Sequence, residues 1–221
     1  MRRRDFIAGL AGTTAGWTLA ARVHGPTVPM VGFLDARSAE ASADNVPQKV
    51  VLREEDPGDS AGKSYVGSAV WRTEEGPPRS GQKPNIAARS DIEIPARNIS
   101  IRWSLRRNDD KQLPASHLIE IVFTLPPDFP RSGISNIPGM LMKQGETMLG
   151  VALSALTVKV TTNLFLVGLS STDLQRNIEL LEWPWFDIPV IYGNGKRAII
   201  TIEKGEPGER AFTTAIGRAA L

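Results

Sequence analysis

The chain has 221 residues, enough for one domain with a buried core, and it contains no cysteine and only two histidines. This composition excludes disulfides, thiolate or multi-histidine metal sites, a cysteine nucleophile and a lipoprotein anchor. The 26 basic and 24 acidic residues are nearly balanced, which gives no electrostatic case for nucleic acid as a partner.

The N-terminus has the pattern of a twin-arginine export signal, in which two arginines, a variable residue and two apolar residues precede an uncharged run. The residues that carry this pattern are Arg3, Arg4, Phe6 and Ile7. The uncharged run, residues 6–20, has the length of a secretory signal, whereas a membrane span needs about 20 apolar residues. The sequence predicts recognition by the twin-arginine export machinery and a location in the periplasm or cell envelope.

The cleavage position of this signal stays open. An A-x-A-like end is expected, but Ala21-Arg22-Val23 ends in valine, and Thr18-Leu19-Ala20 is a weaker match. An uncleaved signal would remain as an N-terminal anchor, the one membrane contact that the sequence predicts. Without residues 1–25 the chain keeps 22 basic and 23 acidic residues, so its net charge becomes −1.

The first 40 residues also resemble a known family. Three stretches, Arg3-Arg4-Asp5-Phe6-Ile7, Leu19-Ala20-Ala21-Arg22 and Met30-Val31-Gly32-Phe33-Leu34-Asp35, are similar to the leader and first strand of solute-binding proteins of an ABC-type uptake family common in alphaproteobacteria. The resemblance implies a two-lobed fold with a long α/β alternation. Residues 39–47 instead read as a short polar linker. We therefore divide the chain into a signal segment (1–25), a linker (26–47) and a domain (48–221).

From Gln48 onward the apolar residues recur with a period of two, which predicts β-strands. The predicted strands lie near residues 50–52, 65–71, 92–94, 99–106, 119–125, 140–143, 156–160, 164–169, 188–192 and 198–202. The acidic stretch Glu54–Asp59 and the Pro/Gly-rich residues 76–81 are predicted loops. Asn194-Gly195 predicts a tight hairpin with positive φ angles.

Two short helices complete the predicted elements. Residues 170–173 resemble a capping box, and an apolar stripe follows through residue 181. The stretch Gly205-Glu206-Pro207-Gly208 is predicted to lead into a last short helix that contains Phe212 and Ile216. Many short strands, few helices and no βαβ alternation predict a mainly β fold, an antiparallel β-sandwich or open barrel with one or two short helices.

Seven stretches, residues 48–52, 67–73, 103–108, 113–117, 138–144, 185–189 and 205–212, are similar to an uncharacterised domain of rhizobial envelope proteins. The resemblance covers most of residues 48–216, and in those proteins the domain usually follows a single membrane span and a Pro/Ala-rich linker. The resemblance implies an envelope location and supplies no activity, ligand or catalytic residue.

The sequence predicts no catalytic residue. His117 is the one histidine of the domain, with Ser116 and Glu120 close to it in sequence. On a strand, neither Ser116 nor Glu120 shares the face of His117, so a catalytic triad is not expected. His117 is expected at the rim of the core with a hydrogen-bond partner, and a hydrolase built on it is the less favoured alternative.

Three surface features have a functional and a structural interpretation. The acidic run, Glu54, Glu55, Asp56 and Asp59, lacks the ligand spacing of a calcium loop, so a solvated turn is favoured. Aromatic residues near residue 184 would serve as a platform for a sugar or peptide, or would plug one end of the fold. Arginines on the wet face of strand 99–106 would recognise an anionic envelope polymer, or would form a solvated face. The candidate binding residues are Trp183, Trp185, Phe186, Arg102 and Arg106.

These observations predict an exported envelope module that binds an unknown envelope partner or has a structural role, without catalysis, cofactor or metal. The alternative is a truncated or divergent solute-binding component of an ABC uptake transporter. That alternative requires a two-lobed α/β fold with a cleft between the lobes.

Overall fold

The computed structural model describes residues 46–56, 58–76 and 85–217, with the backbone alone at Ser60 and Ala61. The predicted mainly β, antiparallel fold is confirmed, because the strands form a sheet that is curled into a half-barrel. The open barrel is therefore the correct one of the two predicted architectures. The signal segment and nearly all of the linker lie outside the described residues, as does most of the predicted loop at 76–81.

The described residues form twelve strands and two α-helices. The strands are β1 (Gln48–Asp56), β2 (Asp59–Glu75), β3 (Ile86–Ile94), β4 (Ile99–Arg107), β5 (Ala115–Thr124), β6 (Ile134–Asn136), β7 (Leu141–Lys143), β8 (Val151–Ala152), β9 (Ala155–Lys159), β10 (Leu164–Ser170), β11 (Trp185–Tyr192) and β12 (Arg197–Glu203). The helices are α1 (Leu174–Leu181) and α2 (Gly205–Ala215), and a single 3-10 turn spans Pro95–Arg97. Neither helix is long and apolar enough to cross a membrane.

The strand order is β8-β7-β11-β12-β1-β2-β3-β4-β5-β10-β9, and β6 pairs with β11 beside β7. Every pair among these strands is antiparallel. Buried apolar residues and exposed polar residues alternate along strand β4, which explains why the sheet has one dry face. Ile101, Trp103 and Leu105 are buried on the concave side, whereas Arg102 and Arg106 are exposed on the convex side.

The two edge strands, β8 and β9, are consecutive in the chain, and only Leu153 and Ser154 separate them. We call this junction the seam. The Leu153 N–H donates to the Met140 carbonyl at 3.0 Å, and the Ser170 N–H donates to the Ser154 carbonyl at 2.8 Å. Helix α1 packs against β10 and β7, one strand from each side of the seam. The chain itself therefore ties together the two edges of the sheet.

Helix α2 packs against β2, β3 and β4 and completes an aromatic core. The rings of Trp103 and Phe212 stack with centroids 5.1 Å apart, and Trp71 meets Trp103 edge-on at 5.4 Å. Gly208 allows this approach, because a Cβ at that position would lie 3.1 Å from the Trp71 indole. Lys204 is buried beside the cluster, where its Nζ donates to the Leu181 carbonyl at 2.9 Å. Burial lowers the pKa of Lys204 to about 8.

Local turn chemistry differs from two sequence expectations. Only half of the predicted capping box forms. The Asp173 N–H donates to the Ser170 hydroxyl at 3.4 Å, whereas the Asp173 side chain accepts a hydrogen bond from the Ser154 hydroxyl at 2.6 Å and caps no helical N–H. In the β11–β12 hairpin only Gly195 has a positive φ, 81°. Asn194 does not, because a longer hairpin loop needs only one left-handed residue.

Candidate functional site

A basic cavity of about 280 Å³ opens where the β1–β2 and β11–β12 hairpins end. Four separate chain segments build it: the two hairpins, the 3-10 turn after β3, and the connection between β5 and β6. The lining residues are Glu54, Lys63, Tyr65, Arg97, Pro130, Arg131, Asn194 and Lys196. The mouth of a β-barrel is a common place for a ligand site, since the sheet holds loop side chains around a concave surface.

The carboxylate of Glu54 lies at the base of this cavity, and its side chain is fully buried. It accepts hydrogen bonds from the Tyr192 hydroxyl at 2.6 Å, from Arg131 Nη2 at 3.0 Å and from Arg97 Nη2 at 3.4 Å. Burial raises the pKa of the Tyr192 hydroxyl, and the bond to Glu54 raises it further. Tyr192 therefore stays protonated and remains a donor to the carboxylate.

Aromatic rings fix the two guanidinium groups. Arg97 lies over the rings of Tyr65 and Phe129, 5.4 and 5.5 Å from their centroids, and Arg131 lies 5.2 Å from the centroid of Tyr192. A guanidinium stacked on a ring is held in one orientation and keeps its N–H groups in a defined plane. Within the described part of the chain, the buried Nε of Arg97 has no hydrogen-bond partner.

A close backbone contact holds the segment that carries Arg131. Ser132 and Gly133 both have left-handed φ angles, 58° and 74°, and the Gly193 N–H donates to the Gly133 carbonyl at 2.9 Å. A Cβ on Gly193 would lie only 2.3 Å from the Ser132 carbonyl oxygen. Glycine at 193 is therefore required for the hairpin to approach this segment.

Two lysines stand at the rim of the cavity. Lys63 forms an ion pair with Asp56 at 2.9 Å, and this contact lowers the pKa of the partly buried Asp56 and raises that of Lys63. The backbone N–H of Lys196 donates to the Asn194 side chain at 3.1 Å, and Lys196 lines the cavity beside Asn194. Four cationic side chains thus line the cavity around the single carboxylate of Glu54. Its electrostatics favour an anion.

A larger groove of about 730 Å³ lies beside the same β1–β2 hairpin. Its floor includes Pro189 and Ile199, and the acidic side chains of the hairpin line one wall. Glu55 accepts a hydrogen bond from the Arg197 N–H at 3.0 Å, and Asp56 accepts one from the Gly58 N–H at 3.0 Å. These acidic groups already serve as internal acceptors, so we assign the candidate site to the basic cavity despite its smaller volume.

The predicted aromatic residues do not line this cavity. Phe186 is fully buried in the aromatic core, where it packs against Trp71 and Trp103. Trp183 is partly buried and packs against the core, and Trp185 precedes Phe186 on strand β11 and so points to the other face. The three side chains therefore do not share one exposed surface.

The predicted arginines Arg102 and Arg106 are exposed on the convex face of β4. Arg102 lies opposite Asp91 in the β3–β4 register, and Asp91 is in an ion pair with Arg72. Arg106 borders a cavity of about 390 Å³ that also contains Glu120. Neither arginine reaches the basic cavity. The predicted signal residues, Arg3, Arg4, Phe6 and Ile7, lie outside the described residues.

His117 is buried, with 4% of its surface exposed. Burial, and then the charge of Arg107, lowers its pKa to about 4, so the ring is neutral at pH 7. Its Nδ1 lies 3.3 Å from the Ser116 hydroxyl, closer than a regular strand would allow, and that hydroxyl also donates to the Leu169 carbonyl. Glu120 is exposed on the other face of β5. Glu120 therefore supplies no carboxylate to the imidazole ring of His117.

The acidic run corrects one interpretation made from the sequence. Glu54 is 2% exposed and faces the cavity, so the expected solvated turn is wrong for this residue. Strands β1 and β2 continue as far as Asp56 and Asp59, and alternation along β1 turns Glu54 inward. No group of three or more metal-binding side chains converges in the part of the chain that the structure describes.

No local pattern in the sequence indicates the basic cavity. Its central residues, Glu54, Arg97, Arg131 and Lys196, are separated by more than thirty positions at each step and follow no common motif. The one usable sign was the position of Glu54, an acidic residue in phase with the buried Val50 and Leu52. No family model, curated protein or solved structure matches the chain. The site is therefore interpreted from its own geometry.

Proposed function

We propose that the protein is an exported, non-catalytic module of the cell envelope that binds an anionic ligand in the basic cavity. The observation that carries the proposal is the set of four cationic side chains around the one buried carboxylate of Glu54. Two of them, Arg97 and Arg131, are pre-oriented by aromatic rings, which lowers the entropic cost of binding. The twin-arginine pattern and the resemblance to rhizobial envelope proteins support the location.

Calorimetric titration of the purified full chain with acetate, citrate and phosphate tests the anion-binding part. We expect saturable binding with one site per chain and an affinity that falls with added salt. Lys196→Gln removes a rim charge without disturbing the ion pairs of Glu54, so it should weaken binding by about threefold to tenfold.

Arg106→Gln distinguishes the cavity from the predicted arginine surface of β4. If Arg106→Gln weakens binding and Lys196→Gln does not, the anion binds on the convex face and the proposed site is incorrect. If none of the anions binds, the binding function is incorrect.

Cell fractionation and N-terminal sequencing of the product test the location. Export through the twin-arginine route predicts recovery outside the cytoplasm, and Arg3→Lys with Arg4→Lys should retain the protein inside. Cytoplasmic recovery of the unaltered chain would contradict the proposal. The alternative of a solute-binding component is supported only by residues 1–40, since the described residues form a half-barrel and not the two-lobed α/β fold that it requires.

A further inference from the structure

We infer that the cavity takes a doubly charged tetrahedral oxyanion, the terminal phosphoryl group of a phosphomonoester. This inference rests on the proposed anion-binding function and specifies its ligand. Three features of the cavity carry it: its charge, the directions of its donors and its size.

The charge of the cavity suits a dianion. Lys63, Arg97, Arg131 and Lys196 contribute four positive charges, and Glu54 with the rim residue Asp56 contributes two negative ones. Among these six groups the positive charges exceed the negative ones by two. A carboxylate would neutralise one of them, whereas a phosphoryl dianion neutralises both.

The donors of the cavity approach from several directions. Each arginine donates one Nη2 to Glu54, so each guanidinium keeps further N–H groups. Lys63 and Lys196 come from two other chain segments on the rim. Donors from four segments fit the oxygens of a tetrahedral group better than the two coplanar oxygens of a carboxylate.

The size of the cavity fits a single headgroup. Its volume of about 280 Å³ lies just below the range of roughly 300–1,000 Å³ that is typical of pockets for whole drug-sized ligands. A phosphoryl group and its bridging oxygen fit inside, while the rest of the ligand extends out past Lys63 and Lys196. The site therefore binds the terminal group of a ligand, and the rest of the ligand lies outside the cavity.

Titration of the full chain at pH 8 with phosphate, sulfate and acetate, at matched ionic strength, tests the ligand class. We expect phosphate and sulfate to bind at least about tenfold more tightly than acetate, because both are dianions. Lys196→Gln should reduce the affinity for phosphate about threefold to tenfold, whereas Lys111→Gln in the exposed β4–β5 turn should leave it unchanged. If acetate binds as tightly as phosphate, the inferred ligand class is incorrect, although the cavity still binds anions. If none of the three anions binds, the ligand class and the anion-binding function are both incorrect.

A second titration identifies the source of the phosphoryl group. Glycerol 3-phosphate represents a soluble phosphomonoester, and phosphatidylcholine vesicles with phosphatidic acid represent a lipid headgroup. Binding of either one supports the inference and names its source. If free phosphate binds and neither phosphomonoester does, the cavity does not take a terminal phosphoryl group and the inference is incorrect.

Discussion

The carboxamide of Asn177 forms two hydrogen bonds with the main chain of Ser154. The Ser154 N–H donates to Asn177 Oδ1 at 2.9 Å, and Asn177 Nδ2 donates to the Ser154 carbonyl at 2.9 Å. Asn177 is 1% exposed, so both bonds are shielded from water. The side chain provides the donor and acceptor that a neighbouring strand would otherwise offer, and it attaches helix α1 to the seam between β8 and β9.

Asn177→Ala should therefore lower the free energy of unfolding by about 1–3 kcal/mol, since it leaves the Ser154 N–H without a partner and the Ser154 carbonyl with the Ser170 N–H alone. Urea denaturation followed by circular dichroism measures the effect. Gln175→Ala, on the exposed side of the same helix, is the control and should change stability by less than about 0.5 kcal/mol. Equal effects of the two substitutions would show that the carboxamide does not hold the seam.

Gly193→Ala should weaken phosphate binding because the new methyl group collides with the Ser132 carbonyl and displaces the segment that carries Arg131. We also expect a loss of stability of about 1–3 kcal/mol from this overpacking. Titration calorimetry and urea denaturation measure the two effects.

Gly195→Ala is the matched control for this substitution. Gly195 has a φ of 81°, and nothing lies within 4 Å of an added Cβ, so alanine there meets backbone strain without a collision. It should cost about 1–2 kcal/mol of stability and leave phosphate affinity unchanged. A similar loss of affinity in both variants would mean that the close contact at Gly193 does not position Arg131.

Glu54→Gln should increase the affinity for phosphate. The glutamine keeps an acceptor for the Tyr192 hydroxyl, but Arg97 and Arg131 lose their internal counterion and become available to the ligand. Without phosphate the variant should be less stable than the unaltered chain, because two partly buried guanidinium groups are left uncompensated. Phosphate should then raise its melting temperature more than it raises that of the unaltered chain.

Thermal unfolding across a series of phosphate concentrations measures this effect, with potassium chloride at the same ionic strength as the control. A smaller phosphate effect in Glu54→Gln than in the unaltered chain would contradict the role of Glu54 as the internal counterion of Arg97 and Arg131.

His117 should make the fold sensitive to acid. The folded chain keeps this ring neutral down to about pH 4, whereas the unfolded chain protonates it near pH 6.5, so the unfolded state binds more protons between these values. Stability should therefore fall as the pH drops from 6.5 towards 4, by up to roughly 3 kcal/mol from this residue.

His117→Gln removes that contribution, and urea denaturation at pH 7 and pH 4.5 compares the two chains. The unaltered chain should lose more stability between the two pH values than the variant does. The carboxylates titrate in both chains and cancel in the comparison. An equal loss in the two chains would show that His117 is protonated in the folded state as easily as in the unfolded one.

Sequence pattern alone predicts the order and type of most elements, although it misses the short strands β6 and β8. Alternation along residues 99–106 separates Ile101, Trp103 and Leu105 from Arg102 and Arg106, and the structure keeps this division. The pattern works because a strand has a fixed period of two, so each residue's face depends only on its neighbours. The apolar stripe through residue 181 predicts α1 for the same local reason.

The tertiary structure alone decided how the sheet ends meet and where charges converge. The local sequence pattern predicts that Glu54 belongs to an acidic turn. In the structure Glu54 is buried, because Arg97, Arg131 and Tyr192, which are distant in the chain, donate hydrogen bonds to its carboxylate. The seam depends in the same way on the pairing of Asn177 with Ser154. A side chain's phase along its own strand is set locally, whereas the partner that compensates a buried charge or a free strand edge is set by the three-dimensional path of the chain.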